Sequence, residues 1–418
     1  MELIDGIKKF VFKLKPNIFV QAPARINLIN PLDAVEGDYW MPSVAINGIE
    51  DPLSAFAYIK ESKDRCVVKL YSVEIVGRTT SILLELQEEL VKDDLFSKKV
   101  TDDKLKLIYS SIYRLSKHSS YFWDKFREKN IEIGIMTTIP RQSGLGGSAS
   151  LIIALLYGLV EYFQIYNDLS HLKPGEYPIN KDHIAEIATE VENKDLNITA
   201  GYSDRYVISR GGLCFCSYIG KLFHKEFSEE PLAVYDKISD TYNIKDLPII
   251  ICYSGVIHES GSVHGKLRVN YLKQDTQMLR NYEHLAEIAW RSRFAIMKKD
   301  WRLLGTYFKK NTEIMNNVMK DAGFTHGIGL VNNLLINLIQ DHPEVYAVKL
   351  TGAGGGGSVF ALVNPNKISE VLFEWKNRLN NLILEKERLA SYPLEIVESL
   401  RNAKFYRIKI DLNGVKKL

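Results

Sequence analysis

The chain has 418 residues, long enough for two domains that each bury a core. Its 46% hydrophobic and 25% charged residues are those of a soluble globular protein, and a net charge of +3 spread along the chain gives no basic surface for nucleic acid. No apolar run reaches membrane-spanning length, the start MELIDGIKKFVFKLK lacks a signal-peptide core, and four cysteines make no disulfide framework, so a cytoplasmic protein without a membrane partner is expected.

In chain order, NIFVQAPARINLI (17–29) predicts two short strands interrupted at Pro23, with Arg25 among the apolar residues of the second. The turn-rich stretch that follows carries Asp33 and Glu36. Either carboxylate could accept hydrogen bonds from substrate hydroxyls, while Asp33 could equally tie a turn to its own backbone. Alternating runs between 55 and 86 predict further strands. Residues 104–127 predict a helix with Leu105, Ile108, Ile112 and Leu115 on one face.

The stretch TTIPRQSGLGGSASLIIALLYGLVEYF (137–163) carries the strongest local signal. The alternation from Ile131 to Ile135 predicts a strand, Pro140 ends it, and Gly144, Gly146 and Gly147 free the backbone for positive φ. Ser148 or Ser150 is a candidate cap for an apolar helix from Leu151 to Phe163. A glycine turn feeding a helix N-terminus aims several amides and the positive dipole end at one place, which suits an anion such as phosphate. Taken alone, the glycines fit a plain tight turn as well. No Gly-Lys-Ser/Thr follows, which excludes the P-loop, and Gly144-x-Gly146-x-x-Ala149 stands too far from the strand for a dinucleotide turn.

A helix is predicted from Asp182 to Lys194, with Ile184, Ile187, Ala188 and Val191 on one side, followed by DLNITAGYSDRYVISRGGLCF. By themselves Glu192 and Asp204 would read as a surface glutamate and a turn aspartate. Cys214 and Cys216 share one face of a strand, a packing pattern before a metal site. The polar segment between Lys221 and Leu247 suggests a boundary, with domains at 1–230 and 231–418. LPIIICYSG then predicts a buried strand, and helices are expected over 266–297, 299–319 and 327–341. His258 and His264 flank serines and a glycine and could reach a ligand, but a lone histidine is more often packed or exposed, so neither joins the catalytic set. Finally, VYAVKLTGAGGGGSVFALV (345–363) predicts two strands around a glycine loop. Gly352-x-Gly354-x-x-Gly357 matches the dinucleotide spacing but is followed by a strand, so a hairpin with bare backbone is expected.

Three of these stretches resemble the GHMP kinase family of galactokinase, homoserine kinase, mevalonate kinase and phosphomevalonate kinase. PRQSGLGGSAS resembles its Pro-x-x-x-Gly-Leu-Gly-Ser-Ser-Ala motif, with Gly147 in place of the first serine. Pro23-Ala24-Arg25-Ile26-Asn27-Leu28 resembles its first motif, and the Asn30-Pro31-Leu32-Asp33 that follows is similar to glucuronokinase-like members rather than to the Gly-Glu-His-Thr-Asp of galactokinases. KLTGAGGGG (349–357) resembles the third motif almost residue for residue. The resemblance implies an α+β fold of two domains, an N-terminal one like domain 2 of ribosomal protein S5 and a ferredoxin-like C-terminal one, with the site between them.

It also implies ATP held by Pro140, Ser143, Gly144, Leu145, Gly146, Gly147, Ser148, Ala149 and Gly354. Mg2+ would be bound by Ser148 and by Glu192, which stands twelve residues before Asp204 as the family spacing requires. Asp204 and Arg25 would be catalytic. Arg25, Asp33, Glu36, Asp204 and Gly354 would bind the acceptor, a sugar or sugar acid attacked through its anomeric hydroxyl. A mevalonate or heptose kinase, a catalytically silent sugar and ATP sensor, and an NAD-dependent oxidoreductase are the alternatives. A monomer or homodimer is expected.

Overall fold

The structure, a computed structural model, describes residues 2–29, 35, 38–77, 79–97, 104–165, 180–218, 233–257, 260–385, 387 and 389–418. Ile7 and Val11 bury one side of helix α1 (Glu2–Lys13). Strand β1 (Ile18–Asn27) is continuous, where two strands broken at Pro23 were expected. What changes at that residue is the partner. Residues 18–23 pair antiparallel with β3 (Ser54–Glu61) and 24–27 with β2 (Met41–Gly48). Proline offers no N–H to a ladder, so a change of partner there loses little.

The strands β4 (Val67–Val76) and β5 (Thr79–Glu89) form a hairpin, and β4 runs parallel to β6 (Ile131–Thr137), itself antiparallel to β3. Helices α2 (Asp94–Ser97), α3 (Lys106–His118) and α4 (Ser120–Glu128) lie between β5 and β6. The single helix expected over 104–127 is interrupted at Ser119. Its backbone is extended and its hydroxyl accepts from the Phe122 amide at 3.1 Å, capping α4. The expected face is buried: Leu105, Ile108, Ile112 and Leu115 are all in the core.

Helix α5 (Gly147–Tyr162) is apolar nearly all round, as a helix packed within a core should be, and rests on β1 and β3. Helix α6 (Lys181–Glu190) is capped by Asn180 and widens into a π-helical turn over Val191–Asp195. Next come α7 (Ser203–Arg210), β7 (Leu213–Tyr218), β8 (Ala233–Asp236), α8 (Ile238–Thr241) and β9 (Ile249–Tyr253). The helix expected over 266–297 is two helices, α9 (Ser260–Leu272) and α10 (Thr276–Met297). Gln274 is left-handed at φ 57, and Asp275 caps α10 through the Met278 amide at 2.8 Å. The remaining elements are α11 (Trp301–Asp321), α12 (Leu330–Asn337), β10 (Val345–Thr351), β11 (Ser358–Val363), α13 (Ile368–Leu384), α14 (Leu394–Leu400), β12 (Lys404–Ile410) and β13 (Lys416–Lys417).

The strands join in the order β10-β11-β9-β12-β2-β1-β3-β6-β4-β5, with β7, β8 and β13 attached at the side. Strand β12 bridges the halves by pairing with β9 on one side and β2 on the other. Two large apolar clusters fill the molecule. One is built around α5 and α6, and the other lies under β9–β11 and the C-terminal helices. The architecture is α+β, as expected. The boundary expected at 230 lies outside the described residues, and among those described no helix is long and apolar enough to cross a membrane.

Candidate active site

Two glycine loops meet here. In the β6–α5 connection, Gly144 and Gly146 have φ of 72° and 81°. A Cβ on Gly144 would stand 2.6 Å from the Thr351 carbonyl, and one on Gly352 would stand 2.8 Å from Gly144 Cα. A Cβ on Gly357 would fall 2.9 Å from the Ser143 carbonyl carbon. The β10–β11 loop therefore lies backbone to backbone on the β6–α5 turn, and only glycine allows that approach. Gly354 differs: it packs against Ile328, not against the first loop.

Helix α5 begins at Gly147, with left-handed Gly146 at its N-cap. Neither serine caps it, contrary to expectation, because both hydroxyls are drawn elsewhere. Ser148 Oγ donates to Glu192 Oε1 at 2.6 Å, and Ser150 Oγ donates to the carbonyls of Pro23 at 2.7 Å and Gly146 at 2.9 Å. The first-turn amides thus have no side-chain cap, at the positive end of a helix of 16 residues. Leu145 and Ala149 point into the core, so they can contribute only backbone.

Charged groups link this turn to α6 and α7. On β1, just past the change of partner, Arg25 donates from Nη1 to the Gly144 carbonyl and from Nη2 to Asp204 Oδ2, both at 2.5 Å. Asp204 sits in the first turn of α7, where an anion is favoured, rather than in an open turn. Arg205 pairs with Glu192, donates to the Gly201 carbonyl at 2.8 Å and stands 3.6 Å from Asp204. Arg25, Glu192, Asp204 and Arg205 are all buried, whereas Ser148 is exposed. Buried charges persist only when paired, and here each has a counter-ion.

Glu190, two residues before Glu192, belongs to a separate network. It contacts His118 Nε2 at 2.6 Å and Lys194 Nζ at 2.5 Å. Burial pushes its carboxyl up, but the hydrogen bonds from His118 and Lys194 outweigh that and hold it at about 2. The π-helical turn between them offsets side chains from α-helical register, so two acids two residues apart serve different surroundings.

The C-terminal half contributes α9. Arg268 donates to the Ala200 carbonyl at 3.2 Å, and His264 lies one turn before it. Burial pushes the His264 imidazole down to about 4, opposed by Asp204 and reinforced by Arg25, Arg268 and Arg205. Sequence reasoning noted His264 without assigning it and passed over Arg205 and Arg268. The signal for Arg205 was its place beside Asp204, in a run Ala200-Gly201-Tyr202-Ser203-Asp204-Arg205 that resembles the Ala-Gly-Leu-Gln-Asp-Arg of glucuronokinase-like chains. Asp33, Glu36 and His258 lie outside the described residues.

Among the described residues, ten buried side-chain polar atoms lack a hydrogen-bond partner, and eight of them border these loops and acids. They are Arg25 Nε, Gln142 Oε1, Ser143 Oγ, Asp204 Oδ1, Arg205 Nε, His264 Nδ1, Asn332 Oδ1 and Ser358 Oγ. Unsatisfied polar atoms are normally rare, so their gathering here marks a place built for a polar guest. The residues fit a nucleotide phosphate chain, with helix N-terminal amides that no side chain caps. They also fit a hard cation, for which Ser148 Oγ and Glu192 Oε1 offer two adjacent oxygens. No group of three or more His, Cys, Asp or Glu side chains that could hold a metal ion occurs among the described residues. A cation held by Ser148 and Glu192 would complete its shell with phosphate and water oxygens.

Such a turn beside buried acids on an α+β scaffold has the features that a phosphate-binding site needs. Two models of the GHMP kinase family match the chain: the GHMP kinases N terminal domain over residues 106–212 and the GHMP kinases C terminal domain over 295–381. Probable glucuronokinase 2 of Arabidopsis thaliana is 26% identical over 270 residues, 63% of this chain and 66% of that protein. The match thus spans slightly less than two thirds of that relative's length. The D-glycero-alpha-D-manno-heptose 7-phosphate kinase of Campylobacter jejuni is 24% identical over 274 residues, 64% of this chain and 69% of the relative. The galactokinase of Lactococcus lactis, solved with galactose, shares the fold, with a TM-score of 0.62 at 17% identity over 96% of this chain and 95% of that one. The two-domain GHMP kinase fold expected from the motifs is the fold observed.

Proposed function

We propose that this protein transfers the γ-phosphoryl group of ATP to a hydroxyl of a sugar or sugar acid. The observation that carries the reading is Arg25, which joins the phosphate-type turn at Gly144 to the buried carboxylate of Asp204. ATP would supply the phosphoryl group, and its magnesium ion would neutralise charge on the phosphates. The amides of residues 144–149 would cradle the phosphates, with the 352–357 loop packed against that turn. Ser148 and Glu192 would hold the metal. Arg25 would balance charge on the group in transit. Asp204 Oδ1, which has no partner of its own, would accept or orient the proton of the acceptor hydroxyl.

The similarity to a glucuronokinase and a heptose kinase supports a sugar-type acceptor. In this proposal its anomeric hydroxyl is the attacking group, and Asp33 and Glu36 bind other hydroxyls. The test is a screen of hexoses, uronic acids, heptose phosphates and mevalonate with ATP and Mg2+, reading ADP release and product mass. A phosphorylated sugar or uronic acid is expected. Turnover of mevalonate alone would move the assignment within the family, and binding without any turnover would make the chain a sensor.

A further inference from the structure

His264 Nδ1 and Asp204 Oδ1 are both buried without a hydrogen-bond partner. They come from opposite halves of the chain. Helix α9 lies along the segment that leads into α7: a Cβ on Gly265 would stand 3.5 Å from Thr199 Oγ1, and Arg268 donates to the Ala200 carbonyl at 3.2 Å. Residues four apart share a helix face, so His264 is turned toward the same segment as Arg268. The charges that act on its imidazole are those of Asp204, Arg25, Arg268 and Arg205, so the ring lies within electrostatic reach of the Arg25–Asp204 pair. A neutral ring among these charges adds no charge to be balanced, but its buried nitrogen still needs a hydrogen bond.

We infer that His264 is a substrate-positioning residue whose Nδ1 hydrogen-bonds a second hydroxyl of the acceptor, beside the hydroxyl that faces Asp204. The acceptor class is therefore a polyol with two neighbouring hydroxyls. This rests on the kinase reading above. One guest satisfies two orphaned atoms at once, and an acceptor lacking the second hydroxyl leaves Nδ1 buried and unpaired, which is costly.

The test uses the full chain with the acceptor found by screening, its monodeoxy analogues, and the variants His264→Ala, His264→Gln and His264→Asn. Asparagine places a polar atom near the position of Nδ1; glutamine reaches toward that of Nε2. His264→Ala and His264→Gln should raise the acceptor KM about tenfold or more, with the ATP KM moved less than about twofold. His264→Asn should recover most of the loss. Wild-type enzyme should penalise one monodeoxy analogue, and His264→Ala should penalise it no further. An unchanged acceptor KM in His264→Ala overturns the inference, as does an equal analogue penalty in wild type and variant. Should His264→Ala fail to fold, His264→Asn carries the test, since its analogue penalty must lie at or below that of wild type. A wild-type enzyme inactive on every acceptor overturns the kinase reading instead.

Discussion

Arg25 and Glu192 show what single residues contribute. Arg25 is nearly inaccessible, yet it spans two elements by spending one guanidinium nitrogen on the Gly144 carbonyl and another on Asp204. Its replacement by alanine leaves buried Asp204 with only Arg205, 3.6 Å away, to balance it, so a loss of both stability and turnover is expected. Lysine should not restore it, because one ammonium cannot reproduce the fork. Glu192 and Ser148 share a hydrogen bond of 2.6 Å where a cation would sit. Glu192→Gln should shift the Mg2+ concentration for half-maximal rate upward by about tenfold or more, with the KM for acceptor much less affected. A rate profile in Mg2+ checks this, and an unmoved midpoint would remove Glu192 from the metal. Ser148, Glu192, Asp204 and Arg25 were legible because motif spacing marks them. Arg205 and His264 were not, since their importance arises only when α7, the wide turn and α9 approach each other in space.

At the scale of elements, the glycine loops make the sharpest prediction. Gly352→Ala must place a methyl 2.8 Å from Gly144 Cα at a left-handed φ of 82°. A loss of about 1–3 kcal/mol is expected, with weakened ATP binding, as read by denaturant unfolding and by calorimetry. Both loops were visible in the sequence as glycine runs between apolar strands. That one lies against the other was not visible, because no local pattern records a contact across 207 residues. Breaks inside helices were missed for a related reason. Ser119 and Asp275 each stop or start a helix by a single side-chain cap, which apolar periodicity passes over. The Glu190 network gives a pH prediction. Its folded carboxyl titrates at about 2 against an ordinary 4.5, so its stabilisation is present above about pH 4.5 and is lost as the pH falls toward 2. The stability gap between wild type and Glu190→Gln, taken from urea midpoints, should be largest near neutrality and should narrow on acidification. A gap independent of pH would contradict it.

Across the whole molecule, the last strands return to the first. Besides the bridge made by β12, β13 pairs with β1, the Val415 amide donates to the carbonyls of Ile208 at 3.0 Å and Ser209 at 3.1 Å, and Gly212 donates to Asp411 at 2.7 Å. These bonds hold the end of α7, the helix that carries Asp204. Removing residues 411–418 should therefore lower stability by at least about 3 kcal/mol, through lost hydrogen bonds and the exposed Val415 pocket, and should reduce turnover as well. Fold class and the three-part site were legible over this distance because each part carries its own motif. The partner switch at Pro23 was not, since it depends on which strands arrive on either side. The central claim is that the Gly144 turn and Asp204 act on one phosphoryl group. It is tested most directly by following the labelled γ-phosphoryl of ATP into the acceptor, for wild type and Asp204→Asn side by side. The account predicts transfer by wild type and a fall of about a hundredfold or more in the variant, with equal ATP binding by both; transfer at the same rate by both would contradict it.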